Sequence, residues 1–127
     1  MLITSIPQYI QGVTNAKLDL TTTDLTTLFT VPSDADFNAA VVNSILVSED
    51  SGNADTITVT LVSGSDTFSL FKVKAVGANT TVELLSKDLI LQSGEILKVQ
   101  AADANRLQVI ASILEVQPRT VLGGGAS

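Results

Sequence analysis

The stretch 39–63, AAVVNSILVSEDSGNADTITVTLVS, constrains the fold more than any other part of the chain. It holds two apolar runs rich in Val, Ile, Leu and Thr, split by the polar turn Glu49-Asp50-Ser51-Gly52-Asn53-Ala54-Asp55. In the second run Ile57, Val59 and Leu61 alternate with Thr56, Thr58 and Thr60. That period of two sends successive side chains to opposite faces of a strand. The first run sets Val41, Ile45 and Val47 against Val42 and Leu46, with Asn43 and Ser44 between, so both of its faces are apolar. The two runs predict an antiparallel pair in the interior of a sheet, joined by a loop longer than a tight hairpin turn.

The rest of the chain follows the same plan. Short strands are predicted over 25–31 (closed by Pro32), 67–76, 80–85, 88–91, 95–101 and 106–116 (closed by Pro118). Turn signals stand between them at Ser63-Gly64-Ser65-Asp66, Gly77-Ala78-Asn79, Ser93-Gly94 and Ala102-Asp103-Ala104-Asn105. About eight short strands at even spacing, with no helical period to compete, predict an all-β fold: an antiparallel two-sheet sandwich, jelly-roll-like. Its expected core is Ile45, Ile57, Val59, Leu97, Val99, Leu107, Val109 and Ile113. In 67–76, Phe71, Val73 and Ala75 fall on one face, with Phe68, Leu70, Lys72 and Lys74 on the other. The sandwich domain is expected over 21–118, with 119–127 a flexible tail by composition. Residues 1–20 read as an extended arm, because Leu2, Ile3, Ile6, Tyr9 and Ile10 keep neither period and Pro7 interrupts them.

Composition narrows the function classes. In 127 residues the chain is 45% hydrophobic but only 4% aromatic, so one domain must be filled by aliphatic side chains. Lacking cysteine, it can form neither a disulfide framework nor a thiolate metal site; lacking histidine, it has no side chain of the commonest general-base type. The net charge is −6, and the seven basic residues are scattered, which argues against nucleic-acid binding. No run approaches the ~18 apolar residues of a membrane span, and the opening MLITSIPQYIQGV lacks the basic start of a signal peptide. A soluble chain is expected.

Glu49, Asp50, Asn53 and Asp55 crowd one turn, but Gly52 and Ala54 stand where an EF-hand loop places ligands. A solvated acidic turn is expected there and at Ser33-Asp34-Ala35-Asp36. Nothing in the sequence brings two of Glu83, Glu95 and Glu115 together as an acid–base pair, and the glycines form no phosphate-binding loop. The expectation is a protein without enzymatic activity, cofactor or metal.

The two-sided apolarity calls for a cover. Val42, Leu46, Val62, Ile110 and Leu114 fall on outward faces, and a second subunit or the arm would bury them. Val42, Leu46, Ile110 and Leu114 are the expected oligomer face, in a homotrimer before a dimer. The arm residues Leu2, Ile3, Ile6, Tyr9 and Ile10 are the expected contact with a neighbouring subunit or capsid.

Leu28-Phe29-Thr30-Val31-Pro32 is followed by Val41-Val42-Asn43-Ser44-Ile45-Leu46-Val47 and Ile57-Thr58-Val59-Thr60-Leu61. Leu89-Ile90-Leu91-Gln92-Ser93-Gly94-Glu95-Ile96-Leu97-Lys98-Val99-Gln100-Ala101 and Ser112-Ile113-Leu114-Glu115 complete the series. In this order the segments resemble small β-sandwich virion proteins of tailed bacteriophages, over residues 25–116. Phe29 stands for the usual Tyr and Glu95 for the usual Asp. The resemblance implies a location in the virion and a capsid decoration (cement) protein on the outer capsid surface, with the major capsid protein or another virion protein as partner. A tail, head–tail adaptor or head-fibre subunit is its alternative, and a carbohydrate-binding jelly roll the rival from outside the virion. The resemblance carries no catalytic residues.

Overall fold

Apolar–polar alternation becomes nine strands in the computed structural model, which describes residues 10–33 and 39–116. They are β1 (Ile10–Asp19), β2 (Thr26–Thr30), β3 (Ala39–Glu49), β4 (Asp55–Ser63), β5 (Asp66–Val76), β6 (Thr81–Glu83), β7 (Leu89–Gln92), β8 (Ile96–Ala101) and β9 (Leu107–Val116). No helix lies among the described residues, and so none is long and apolar enough to cross a membrane.

The first sheet runs β1-β9-β3, with β6 and β7 sharing the far edge of β3; the second runs β2-β8-β4-β5. Every pairing is antiparallel. The chain passes from one sheet to the other at most connections, and apart from the β4–β5 hairpin strands adjacent in space are distant in sequence. This is the strand order of a jelly roll, with its last first-sheet edge strand split into β6 and β7.

All eight residues expected in the core are fully buried. Ile45, Leu107, Val109 and Ile113 of the first sheet face Ile57, Val59, Leu97 and Val99 of the second, and Val31, Val42, Val47, Leu91 and Ala111 fill the space around them. The turn at Ser63–Asp66 is a two-residue hairpin, and Gly64 supplies the positive φ (61°) that it needs.

Five expectations are corrected. The runs 39–49 and 55–63 do not pair with each other: β3 lies inside the first sheet, beside β9, and β4 inside the second, between β8 and β5. The sandwich begins at Ile10 and not near residue 21. β1 pairs with β9 along its length, and Leu20 is buried and tied on both sides, its N–H to Leu107 O (3.0 Å) and its carbonyl to Asn105 N (2.8 Å). Val42 belongs to the core, because a bulge at Asn43 lets Val42 and Ile45 point the same way. In β5 two register shifts break the alternation. Leu70 and Phe71 both pack against the core, and Val73 is turned out at a φ of 53°, its N–H donating to Thr58 Oγ1 (3.0 Å). The strand expected over 80–85 is shorter, β6 keeping three residues, and the one expected over 88–91 is shifted by one residue, β7 keeping four. The expected tail 119–127 lies outside the described residues.

Two substitutions test this packing by chemical denaturation. Leu97→Ala, in the interior of the second sheet, is expected to cost about 2–5 kcal/mol through the cavity it leaves. Val73→Gly removes a β-branched side chain from left-handed backbone and is expected to raise stability by up to about 1 kcal/mol. A loss of stability in that variant would show that the Val73 side chain contributes more than its backbone strain costs.

Candidate interaction surface

The charged groups with the most partners are turned to the backbone. Glu49, at the end of β3, is buried, and its carboxylate takes N–H donors from Ser51 (2.8 Å), Gly52 (3.1 Å) and Asn79 (3.0 Å), together with the Ser51 hydroxyl. Burial acts to raise its pKa. The hydrogen bonds outweigh that and hold it at about 2, below the ordinary 4.5. Asp55 is buried as well and accepts from Thr56 N (2.8 Å) and Asp103 N (3.1 Å). The acidic turn is therefore not a solvated one. Two of its three carboxylates fasten the loops at one end of the sandwich, where Arg106 adds a hydrogen bond to Ala54 O (3.0 Å) and a salt bridge to Asp103.

Glu83 does similar work in the middle of the first sheet. Between its pairing with β6 and with β7, the edge of β3 away from β9 has no strand neighbour at Asn43–Ile45. The Glu83 carboxylate fills the gap, accepting from Ile45 N (2.8 Å), Leu85 N (3.1 Å) and the Ser44 hydroxyl, while Leu84 N donates to Ile45 O (2.9 Å). Burial again raises the pKa and the donors, Ser44 first, lower it, with a net fall below 4.5. A general acid working near neutral pH needs the opposite shift.

No group of three or more His, Cys, Asp or Glu among the described residues is arranged to hold a metal ion. Ser69-Leu70-Phe71-Lys72 has the Ser-x-x-Lys spacing of one nucleophile motif, against the expectation that the chain holds no such motif. It lies in extended β5, where three residues span about 10 Å, too far for the lysine to serve the serine as base. A shallow groove of about 340 Å³ on the second sheet is lined by Thr23, Thr56, Thr58, Val73, Gln100, Ala101 and Ala102, and it carries no charged side chain.

The outer face of the first sheet is the distinctive surface. Register places its outward side chains in rows across the strands. One row is Val13, Leu114, Val41 and Ile90, apolar throughout, with Val13 78% and Ile90 59% exposed. The next is polar: Asn15, Ser112 and Ser44. The third is Lys17, Ile110, Leu46 and Glu83, in which Ile110 is 39% and Leu46 36% exposed. The last is polar again: Asp19, Gln108, Ser48 and Thr81.

Of the expected oligomer face, Leu46, Ile110 and Leu114 lie here together, and Val42 does not. Val13, Val41 and Ile90 complete the patch and were missed. Val13 was assigned to the arm, Val41 was set on the wrong side by simple alternation, and Ile90 sits in a strand too short to show a period. Of the expected arm contacts, Leu2, Ile3, Ile6 and Tyr9 lie outside the described residues. Ile10 is the first residue of β1, opposite Val116.

The fold thus defines an antiparallel jelly roll. No family model and no curated protein matches the chain. Among solved structures it is similar to a pentameric capsid protein isolated from metagenomic phage sequences, with 19% identity and a TM-score of 0.46, over 83% of this chain and 61% of that one. It is also similar to a chain of infectious bursal disease virus Gt strain, with 10% identity and a TM-score of 0.27, over 95% of this chain and 43% of that one. The chain spans less than two thirds of the length of either.

The depressed carboxyls set a pH dependence. Folded Glu49 and Glu83 bind protons less readily than unfolded ones. Their contribution is therefore present above the ordinary pKa of 4.5 and lost as pH falls, for Glu49 towards about 2. Thermal unfolding between pH 6 and 2.5 is expected to show a falling Tm, with a shallower fall and a lower Tm at pH 7 for Glu49→Gln.

Proposed function

We propose that this protein is a structural component of a tailed-phage virion, a decoration (cement) protein that binds the outer capsid surface as a homo-oligomer, for which the sequence suggests a trimer. The observation that carries the reading is the outer face of the first sheet. A jelly roll whose most heavily bonded carboxylates are turned to its own backbone leaves apolar rows outside, a surface suited to burial against protein. The ordered strand motifs over residues 25–116 support the same reading. The partner is the major capsid protein or another virion protein. The mechanism is mechanical: a rigid sandwich that bridges neighbouring subunits without chemistry of its own.

Because β1 begins at Ile10, the anchoring segment of this reading is Met1–Tyr9, with Leu2, Ile3, Ile6 and Tyr9 as its apolar contacts. Ile10, to which it is joined, lies beside Val116 and Ala39 at the end of the sandwich opposite the Glu49 and Asp55 clamps. A few apolar side chains, each contributing about 1.5–3 kcal/mol on burial before the cost of ordering, supply useful affinity, and repetition over a shell multiplies it. A carbohydrate-binding jelly roll stacks sugars on exposed rings; among the described aromatic residues only Phe68 is exposed.

The test is a chain that starts at Ile10. This truncation is expected to keep its strands by circular dichroism and to lose sedimentation with empty capsids. Full capsid binding by the folded truncation would overturn the anchor. Copy number per particle, hundreds for a cement protein and a dozen or fewer for an adaptor, separates this role from a tail, head–tail adaptor or head-fibre one.

A further inference from the structure

The rows on the outer face of the first sheet are self-complementary under one symmetry operation. Consider a second copy laid face to face, related by a twofold axis in the interface, parallel to the strands and passing between β9 and β3. Each row then meets its own copy with the strand order reversed. Ile110 of one copy faces Leu46 of the other, and Leu114 faces Val41. Val13 faces Ile90, and Ser112 faces Ser44. Lys17, at the β1 edge, faces Glu83 at the β6 edge, twice. Glu83 is suited to this, because its internal donors hold it ionised while its side chain stays exposed on the outer face. A twofold axis perpendicular to the strands through the Asn15, Ser112 and Ser44 row would also bring Leu114 onto Ile110 and Val41 onto Leu46, but it would set Lys17 against Val13 and Glu83 against Ile90, so the Lys17–Glu83 pairing selects the parallel axis.

We infer that the outer face of the first sheet is a dimer interface between two copies of this chain, packed sheet on sheet about a twofold axis parallel to the strands. Four strands about 4.8 Å apart and four rows about 6.7 Å apart cover roughly 500 Å² per copy, or about 1,000 Å² in all, close to the lower bound for a specific interface. Face-to-face packing at about 10 Å is the ordinary way for two sheets to bury apolar rows. Because the interface is isologous, it closes at two copies and leaves no free complementary face. A dimer therefore replaces the trimer suggested by the sequence. The axis also keeps strand direction, so both Ile10 ends emerge at the same end of the dimer. If Met1–Tyr9 is the capsid anchor, a consequence that rests on the proposed function, the dimer carries two anchors side by side. The interface itself does not depend on that role.

Sedimentation equilibrium of the full-length chain at about 5–100 µM tests the interface. A monomer–dimer equilibrium is expected. Lys17→Glu sets like charges opposite each other at an exposed edge, without touching the core, and is expected to raise the dimer dissociation constant by about tenfold or more. Ile110→Glu and Leu46→Lys are each expected to be monomeric alone and to dimerise when mixed, since only the mixed pair places the new charges face to face. A monomeric wild-type chain, a trimer, or a dimer unmoved by Lys17→Glu would overturn the interface. So would dimerisation only after removal of Met1–Tyr9, which would mean that the chain's own segment covers the face. Capsid sedimentation of the Lys17→Glu variant is expected to persist at reduced strength, which separates failure of the dimer from failure of the anchor.

Discussion

The contact between the Glu83 carboxylate and the bulged backbone of β3 is the constraint on which the first sheet depends. β3 pairs with β9 on one edge and with both β6 and β7 on the other. It can serve two short partners in turn only if the backbone groups in the gap between them find other bonds. A buried N–H left unpaired costs about 1–3 kcal/mol, and Ile45, whose side chain is fully buried, sits at that gap. Glu83 and Leu84 together satisfy its N–H and its carbonyl. The bulge that creates this need also turns Val42 into the core and leaves Val41 outside. One irregularity thus sets both the packing and the apolar row.

The two ends of the sandwich are built differently. At one, Glu49 and Asp55 draw the backbone of the 50–55, 77–80 and 102–105 loops onto ionised oxygens, which fixes the connections without using apolar area. At the other, Ile10, Ala39 and Val116 lie on neighbouring strands. The exposed apolar rows lie at neither end but on the outer face of the first sheet.

Much of this was legible from alternation alone. Ile57 and Val59 in β4, Leu97 and Val99 in β8, and Leu107, Val109 and Ile113 in β9 each keep a strict period of two, and all are buried. Alternation fails where the backbone slips. Val42 was read as outward because the Asn43-Ser44 break was taken as ordinary strand, although two polar residues inside an apolar run are the trace that the bulge leaves. Val73 was read with Phe71 because the shifts in β5 leave no mark in composition. Glu49 and Asp55 were read as solvated because a count of carboxylates does not show which backbone donors will converge on them. β1 was hidden by its edge position: Val13, Asn15, Lys17 and Asp19 face outward while Thr14, Ala16 and Leu18 face in, a weak contrast when the outward set holds Val13 and the inward set the polar Thr14.

Solvent paramagnetic relaxation of methyl groups in Ile-, Leu- and Val-labelled protein tests most directly that the outer face of the first sheet is where copies meet. Val13, Leu46, Ile90, Ile110 and Leu114 are predicted to be strongly relaxed in dilute solution and to become protected together as concentration rises. Val73, 60% exposed on the second sheet, is predicted to stay relaxed throughout and so serves as the internal control. Protection of Val73 instead, or a first-sheet set that does not respond to concentration, would contradict the account.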